Sequence, residues 1–268
     1  MKKCFTVFVF IIMLAGMCPD SYADITIHCW FPPHWLTAGP QAKAITDALS
    51  GHSGILITPR IARNYREMLE AFTAEEYVLA YAGSFVQAII ISRDLGLPLV
   101  QNVNGKHMYS GMMIYPKGED PQSILEKYPE QIAYTIGASS GESCAKAATG
   151  GKAAIGVVSH SAAAGSVKVG KARAAFVKNW WWDENRDKFP ELVEYKVPEI
   201  SLEKNPDNVL TASKSVPPDL MEKIKTAAIA SKAVFEADQM APFDKSQIQF
   251  SIELMKKGKI DPMSYEWN

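Results

Sequence analysis

The stretch Thr135–Gly151, TIGASSGESCAKAATGG, concentrates the residues of this chain best suited to chemistry. Ser139, Ser140 and Ser143 supply hydroxyls, Gly137 and Gly141 expose backbone, and an alanine-rich run follows. Two chemistries fit. Gly137 to Gly141 reads G-x-S-x-G, the pattern of a hydrolase nucleophile elbow with Ser139 as nucleophile. The same residues suit an anion cradle, in which hydroxyls and free N–H groups at a helix start hold a negative ligand. The elbow needs a histidine base and an orienting acid, which in the α/β-hydrolase order both follow the serine. Of His28, His34, His52, His107 and His160 only the last follows Ser139, and Glu142 is the only acid between them. Chain order therefore disfavours catalysis. The cradle asks only for the partial positive charge of a helix N-terminus and for hydroxyl donors, although an ordinary capped helix uses the same residues.

A second concentration is HCWFPPHWL, residues 28–36. Trp30, Phe31 and Trp35 either wall a cleft or plug the core beneath the Pro32–Pro33 turn. His28, Cys29 and His34 are soft ligands, but their spacing matches no standard zinc site. A copper or mercury module using Cys29 and Cys144 stays open as a reading. Three consecutive tryptophans, Trp180 to Trp182, read as part of a strand buried on both faces, or else as a cluster at a cleft rim.

These groups must be positioned by an alternation of strand-like and helix-like runs. ITIHCW (25–30), ILITPR (55–60), EYVLAYAG (76–83), PLVQNVN (98–104), YSGMMIYP (109–116), QIAYTIG (131–137), AAIGVVS (153–159), RAAFVKNWWW (173–182), LVEYKV (192–197) and NVLTAS (208–213) read as strands. Helical runs separate many of them, including 41–51 stopping at Gly51 and 84–96 opening at Ser84, and two more close the chain at 218–235 and 245–258. The expected class is α/β with mostly parallel sheets, whose ligands bind beyond the carboxyl ends of strands. The quoted stretch and YAGSF both sit at such ends, so one shared cleft is expected.

Composition narrows the function. Met1-Lys2-Lys3, an apolar run from Cys4 to Cys18 and the small residues Ser21 and Ala23 read as a secretory signal cleaved after Ala23. The full chain carries a net charge of -1; losing Lys2, Lys3 and Asp20 leaves about -2. A near-neutral chain without a basic run argues against nucleic acid. Two of the four cysteines would leave with the signal, and Cys29 and Cys144 remain as a pair or as separate thiols.

Taken in order, several stretches resemble the exported solute-binding proteins of ATP-driven (ABC) importers, in the type II phosphate/phosphonate/phosphite-binding branch. They are EYVLAYAGSFVQA, LPLVQNVNGKHMYSGMMIYPKGEDPQSI, IAYTIGASSGESCAK, HSAAAGSVKVGKARAAFV and PDNVLTASKSVPPDLMEKI. The resemblance implies a two-lobe type II periplasmic-binding-protein fold with the ligand cleft at the hinge. Lobe 1 would hold residues 24–108 and 208–268, and lobe 2 residues 109–207. It implies binding of a small oxyanion or organic anion without chemistry or cofactor, by a periplasmic monomer that delivers it to a membrane permease. Carried over by position, Ser139, Ser140 and the N–H groups near Gly141 hold the anion, with Ser143 close by. Ser84 and Tyr81 act from lobe 1, and Tyr109 and His160 from the cleft wall, with Trp30 and Trp35 added from the residues themselves. Where many members carry an acid, this chain has Arg173, which either faces solvent or favours extra ligand charge.

Overall fold

The computed structural model describes residues 25–73, 77–103 and 107–266. The expected signal segment, residues 1–23, and the side chain of His34 lie outside what is described. Among the described residues no helix is long and apolar enough to cross a membrane.

Two sheets organise the chain. The first contains β1 (Thr26–Phe31), β2 (Leu56–Ile61), β3 (Val78–Ala82), β4 (Gly96–Val103), β12 (Val209–Ser213) and β13 (Gln239–Pro242), in the order β13-β4-β12-β3-β1-β2. The second contains β6 (Gly111–Pro116), β7 (Ile132–Thr135), β8 (Ile155–Val157), β9 (Ala174–Lys178) and β10 (Leu192–Tyr195), in the order β10-β6-β9-β7-β8. Between them runs an antiparallel ribbon of two short strands, β5 (Met108–Tyr109) and β11 (Asn205–Pro206), with Asn205 opposite Tyr109. The chain crosses from one sheet to the other at this ribbon.

Strand alternation sorts side chains onto the two faces of the first sheet. Ile27, Cys29 and Phe31 of β1 and Leu79 and Tyr81 of β3 face one core, which α1 (Gly39–Ser53) and α8 (Pro218–Ala230) cover. Val78, Ala80 and Ala82 face the other, with Trp30 partly buried against it. That second core takes α2 (Tyr65–Thr73) and α3 (Ser84–Ser92), and α3 is buried along nearly its whole length. Full burial of a side chain such as Phe31 contributes roughly 1.5–3 kcal/mol, so this sheet alone supplies a large share of the stability. The second sheet is likewise covered on both faces, with α6 (His160–Lys168) on one and α5 (Cys144–Ala148) on the other.

Several boundaries differ from the sequence reading. The first helix runs past Gly51 and stops at Gly54, whose φ of 70° is the left-handed conformation that ends helices. The run 109–116 is divided, because Tyr109 belongs to the crossing ribbon, opposite Asn205, before β6 starts at Gly111. The three tryptophans are not in a strand: β9 ends at Lys178, and α7 (Asn179–Asn185) carries them. A helix distributes them by angle rather than by alternation, so Trp182 is buried while Trp180 and Trp181 are half-buried. The last helix, α9 (Gln249–Lys257), packs against α5 as well as α3 and so touches both sheets' helical layers. At the ribbon, the Ser251 hydroxyl donates to Asn205 Oδ1 at 2.7 Å, and Asn205 Nδ2 donates to the Tyr109 carbonyl at 3.3 Å.

Candidate ligand-binding site

Both sheets are mixed rather than mostly parallel, since β12, β13, β4, β6 and β10 make antiparallel pairs. The carboxyl ends of the parallel strands β1, β3, β7 and β9 face one another. After β1 come Pro32 and Pro33, after β3 comes Gly83, and after β7 comes the Gly137–Ser140 turn; β9 ends in Lys178. All of them line one cavity of about 580 Å³. Such a crevice outside strand ends is where open α/β sheets bind ligands.

Three helix N-termini open into it. The first is α3, anchored by Gln87: its Nε2 donates to the Val209 carbonyl at 3.1 Å, and its Oε1 accepts from Thr211 Oγ1 at 2.6 Å. The second is a π-type turn over Ser139–Ser143 that continues into α5. Glycine makes its placement feasible. A Cβ on Gly141 would lie 2.7 Å from the Thr135 nitrogen, and one on Gly111 would lie 2.5 Å from the Ser140 carbonyl. The third is α6, where the Ser159 hydroxyl accepts from the Ala162 N–H at 3.1 Å. Ser159→Ala is expected to cost about 1 kcal/mol of stability through loss of this cap, whereas Ser159→Asp retains most of it. Denaturant unfolding of the three proteins checks this.

The serines from the two sides meet. Ser84 Oγ donates to Ser139 Oγ at 2.8 Å and is also 2.8 Å from the Tyr109 hydroxyl. With its proton committed to Ser139, Ser84 accepts from Tyr109. Ser84, Ser139 and Tyr109 are all buried, and burial pushes the Tyr109 phenol far above its ordinary range, so the hydroxyl stays protonated and able to donate. His160 turns Nδ1 to Thr135 Oγ1 at 3.0 Å and Nε2 to Ser140 Oγ at 3.4 Å. Glu142 does not face the ligand space. Its carboxylate accepts from the Gly137 N–H at 2.8 Å and the Tyr265 hydroxyl at 2.7 Å, and it pairs with Lys146 Nζ at 2.9 Å. The cavity end of the turn therefore keeps its positive helix-start character without Glu142 facing it.

Of the residues singled out from sequence, Ser84 sits in this hydrogen-bonded centre, and Tyr109, Ser139, Ser140, His160 and Trp35 line the cavity. Trp35 also packs at a tilt against Phe31, with ring centroids 4.8 Å apart. Tyr81 lies within the core, its ring between those of Phe31, Trp35 and Phe235, because strand alternation turns it away from the cleft. Trp30 is on the opposite face of the sheet for the same reason. Gly141 is pressed on the Thr135 backbone, and the Ser143 hydroxyl is buried behind the turn, so neither is among the lining residues. Arg173 is at the surface, stacked on Tyr128 and paired with Glu119 at 3.3 Å.

Lining residues not singled out from sequence include Thr135, Lys178 and Asp207, while Trp181 takes the cleft-side position that is the second reading of the tryptophan run. Thr135 and Lys178 are the last residues of β7 and β9, so strand ends were the available signal. Cys29 and Cys144 are separate, buried free thiols. Burial pushes the Cys144 thiol up to about 12, away from the thiolate form that binds metal. Among the described residues no group of three or more His, Cys, Asp or Glu side chains could hold a metal ion.

The strand order of the first sheet, the crossing ribbon and the interlobe cavity together decide the architecture. The fold is that of a type II periplasmic binding protein. Residues 39–141, which include Ser84, Tyr109, Ser139 and Ser140, match the family model described as ABC transporter, phosphonate, periplasmic substrate-binding protein. PhnD1 from Prochlorococcus marinus (MIT 9301), solved in complex with methylphosphonate, is 14% identical with a TM-score of 0.65, over 87% of this chain and 97% of that one. A binding-protein component of an ABC phosphonate transporter from Pseudomonas aeruginosa is 12% identical with a TM-score of 0.65, over 87% of each chain. XAC2383 from Xanthomonas citri bound to ATP is 13% identical with a TM-score of 0.65, over 87% of this chain and 97% of its own. No curated protein matches the chain by sequence. The space between the two sheets is the cavity just described.

Proposed function

We propose that this chain is an exported solute-binding protein that holds a small oxyanion of the phosphonate or phosphite type between two lobes and delivers it to an ABC permease. One observation carries the reading. Hydroxyls from two lobes, Ser84 and Ser139, both buried, meet beside a cavity into which three helix N-termini open. Oriented N–H groups and hydroxyls are what an oxyanion takes in exchange for water, and helix dipoles supply the compensating charge. The family match over residues 39–141 supports the transport role and covers both serines. In this reading residues 24–108 and 208–268 form one lobe, residues 109–207 the other, and the β5–β11 ribbon is the hinge. Ser84, Ser139, Ser140, Tyr109 and His160 contact the ligand, with Trp35 and Trp181 as walls. The binding needs no cofactor and no covalent step.

A hydrolase built on Ser139 is less well supported, because Ser84 holds that hydroxyl while His160 turns its ring nitrogens to Thr135 and Ser140. The test is a thermal-shift screen of the purified protein against methylphosphonate, phosphite, phosphate, sulfate and methylsulfonate. A ligand at ~100 times its Kd should add about 2.7 kcal/mol to the stability of the native state, a rise of several degrees in Tm. No shift with any phosphorus oxyanion up to millimolar concentration would overturn the proposal. Stoichiometric labelling of Ser139 by a fluorophosphonate would favour the hydrolase instead.

A further inference from the structure

One wall of the cavity already contains a cation with a complete set of partners. Lys178 Nζ lies 2.6 Å from Asp207 Oδ2, 4.5 Å from the centroid of the Tyr109 ring and 4.4 Å from that of Trp180. The two rings are edge-to-face with centroids 6.1 Å apart. Both charged side chains are largely buried, 21% and 13% exposed. One carboxylate and two aromatic faces are the groups that recognise an alkylammonium ion, and here the protein's own ammonium occupies them. Tyr109 links this cage to the anion cradle, since its ring lies under Lys178 Nζ while its hydroxyl bonds Ser84 Oγ. A substituent of one or two carbons on an anion held at the serines would thus reach the cage.

We propose that Lys178 is the residue that sets the ligand class: it fills the Asp207–Tyr109–Trp180 cage and restricts the site to oxyanions whose substituent is uncharged. A ligand bearing its own ammonium would find the carboxylate taken and a like charge beside it. Emptying the cage by Lys178→Ala leaves Asp207 beside two aromatic faces and converts the wall into an ammonium site. This rests on the oxyanion reading above, and the experiment separates the two.

Isothermal titration at fixed ionic strength compares methylphosphonate with 2-aminoethylphosphonate, and a third arm uses methylammonium chloride alone. The wild-type protein is expected to favour methylphosphonate by about tenfold or more, and Lys178→Ala to shift that ratio toward 2-aminoethylphosphonate by at least about tenfold. Lys178→Arg, which keeps a cation in the cage, should retain the wild-type ratio. The double variant Lys178→Ala, Asp207→Asn should lose the gain. A wild-type protein that binds 2-aminoethylphosphonate as tightly as methylphosphonate would overturn the inference, and so would a ratio unmoved by Lys178→Ala. The wild-type ratio stands as a test even where the alanine variant fails to fold. If neither phosphonate binds the wild type, methylammonium alone judges the cage, and the oxyanion reading fails only where phosphite and phosphate also give no shift in Tm. Saturable binding to Lys178→Ala but not to wild type supports it, and no binding to either overturns it.

Discussion

Ser139→Ala is expected to weaken binding of methylphosphonate by about one to two orders of magnitude, the ~1.5–3 kcal/mol associated with a hydrogen bond to a charged partner. The side chain is wholly buried and receives the Ser84 proton at 2.8 Å. An anion entering the cleft would replace that serine–serine bond with two bonds to itself, one from each lobe. Loss of either hydroxyl removes a donor that water does not readily replace, because both side chains are wholly buried. Ser84→Ala should therefore cost a similar amount. The double variant should fall short of the sum, since the two residues touch and each deletion already breaks their mutual contact. Titration calorimetry on the four proteins of this cycle, with circular dichroism to confirm folding, measures the coupling. Unchanged affinity in the folded Ser139→Ala protein would remove the serine pair from the site.

The same pair illustrates how much the sequence discloses. Ser84 and Ser139 lie 55 residues apart, yet each follows a glycine-containing strand end and opens a helix. An α/β alternation places such positions on the ligand side of the sheets, so both were legible as soon as the class was. Trp30 and Tyr81 were misplaced because nearness to a strand end does not say which face a side chain takes. Period-two alternation sends Tyr81 to the same side as Leu79, into the core with Phe31 and Phe235. Aromatic residues favour sheets, so the tryptophan run reads as strand from sequence. Tertiary context overrode that propensity: β9 already pairs with β6 and β7 up to the cleft, and the chain must turn away after Lys178. Lys178 and Asp207 were invisible for another reason. Their meaning lies in a contact across 29 residues, which no local pattern encodes.

Glu142→Ala should be the most destabilising single change behind the cleft, lowering stability by about 2–4 kcal/mol, since buried donors lose their acceptor while Lys146, 24% exposed, can turn to water. Glu142 is only 2% exposed and gathers three donors from separate places: the Gly137 N–H, Lys146 Nζ and the Tyr265 hydroxyl. Alanine leaves all three without their acceptor while freeing the turn that carries Ser139 and Ser140. Glu142→Gln is expected to lose less, since its amide oxygen can still accept from Gly137 or Tyr265. Tyr265 connects this carboxylate to the other lobe, because its ring meets that of Phe85, next to Ser84 on α3, edge-on at 5.0 Å. Tyr265→Phe retains that ring contact and deletes only the bond to Glu142, so it should cost about 1–3 kcal/mol, between zero and the alanine value. Thermal unfolding of the three variants gives the order. A Tyr265→Phe protein as unstable as Glu142→Ala would mean that the hydroxyl, rather than the Lys146 pair, dominates the burial of Glu142. Near-wild-type stability for Glu142→Ala would mean that the carboxylate is not what fixes the serine turn.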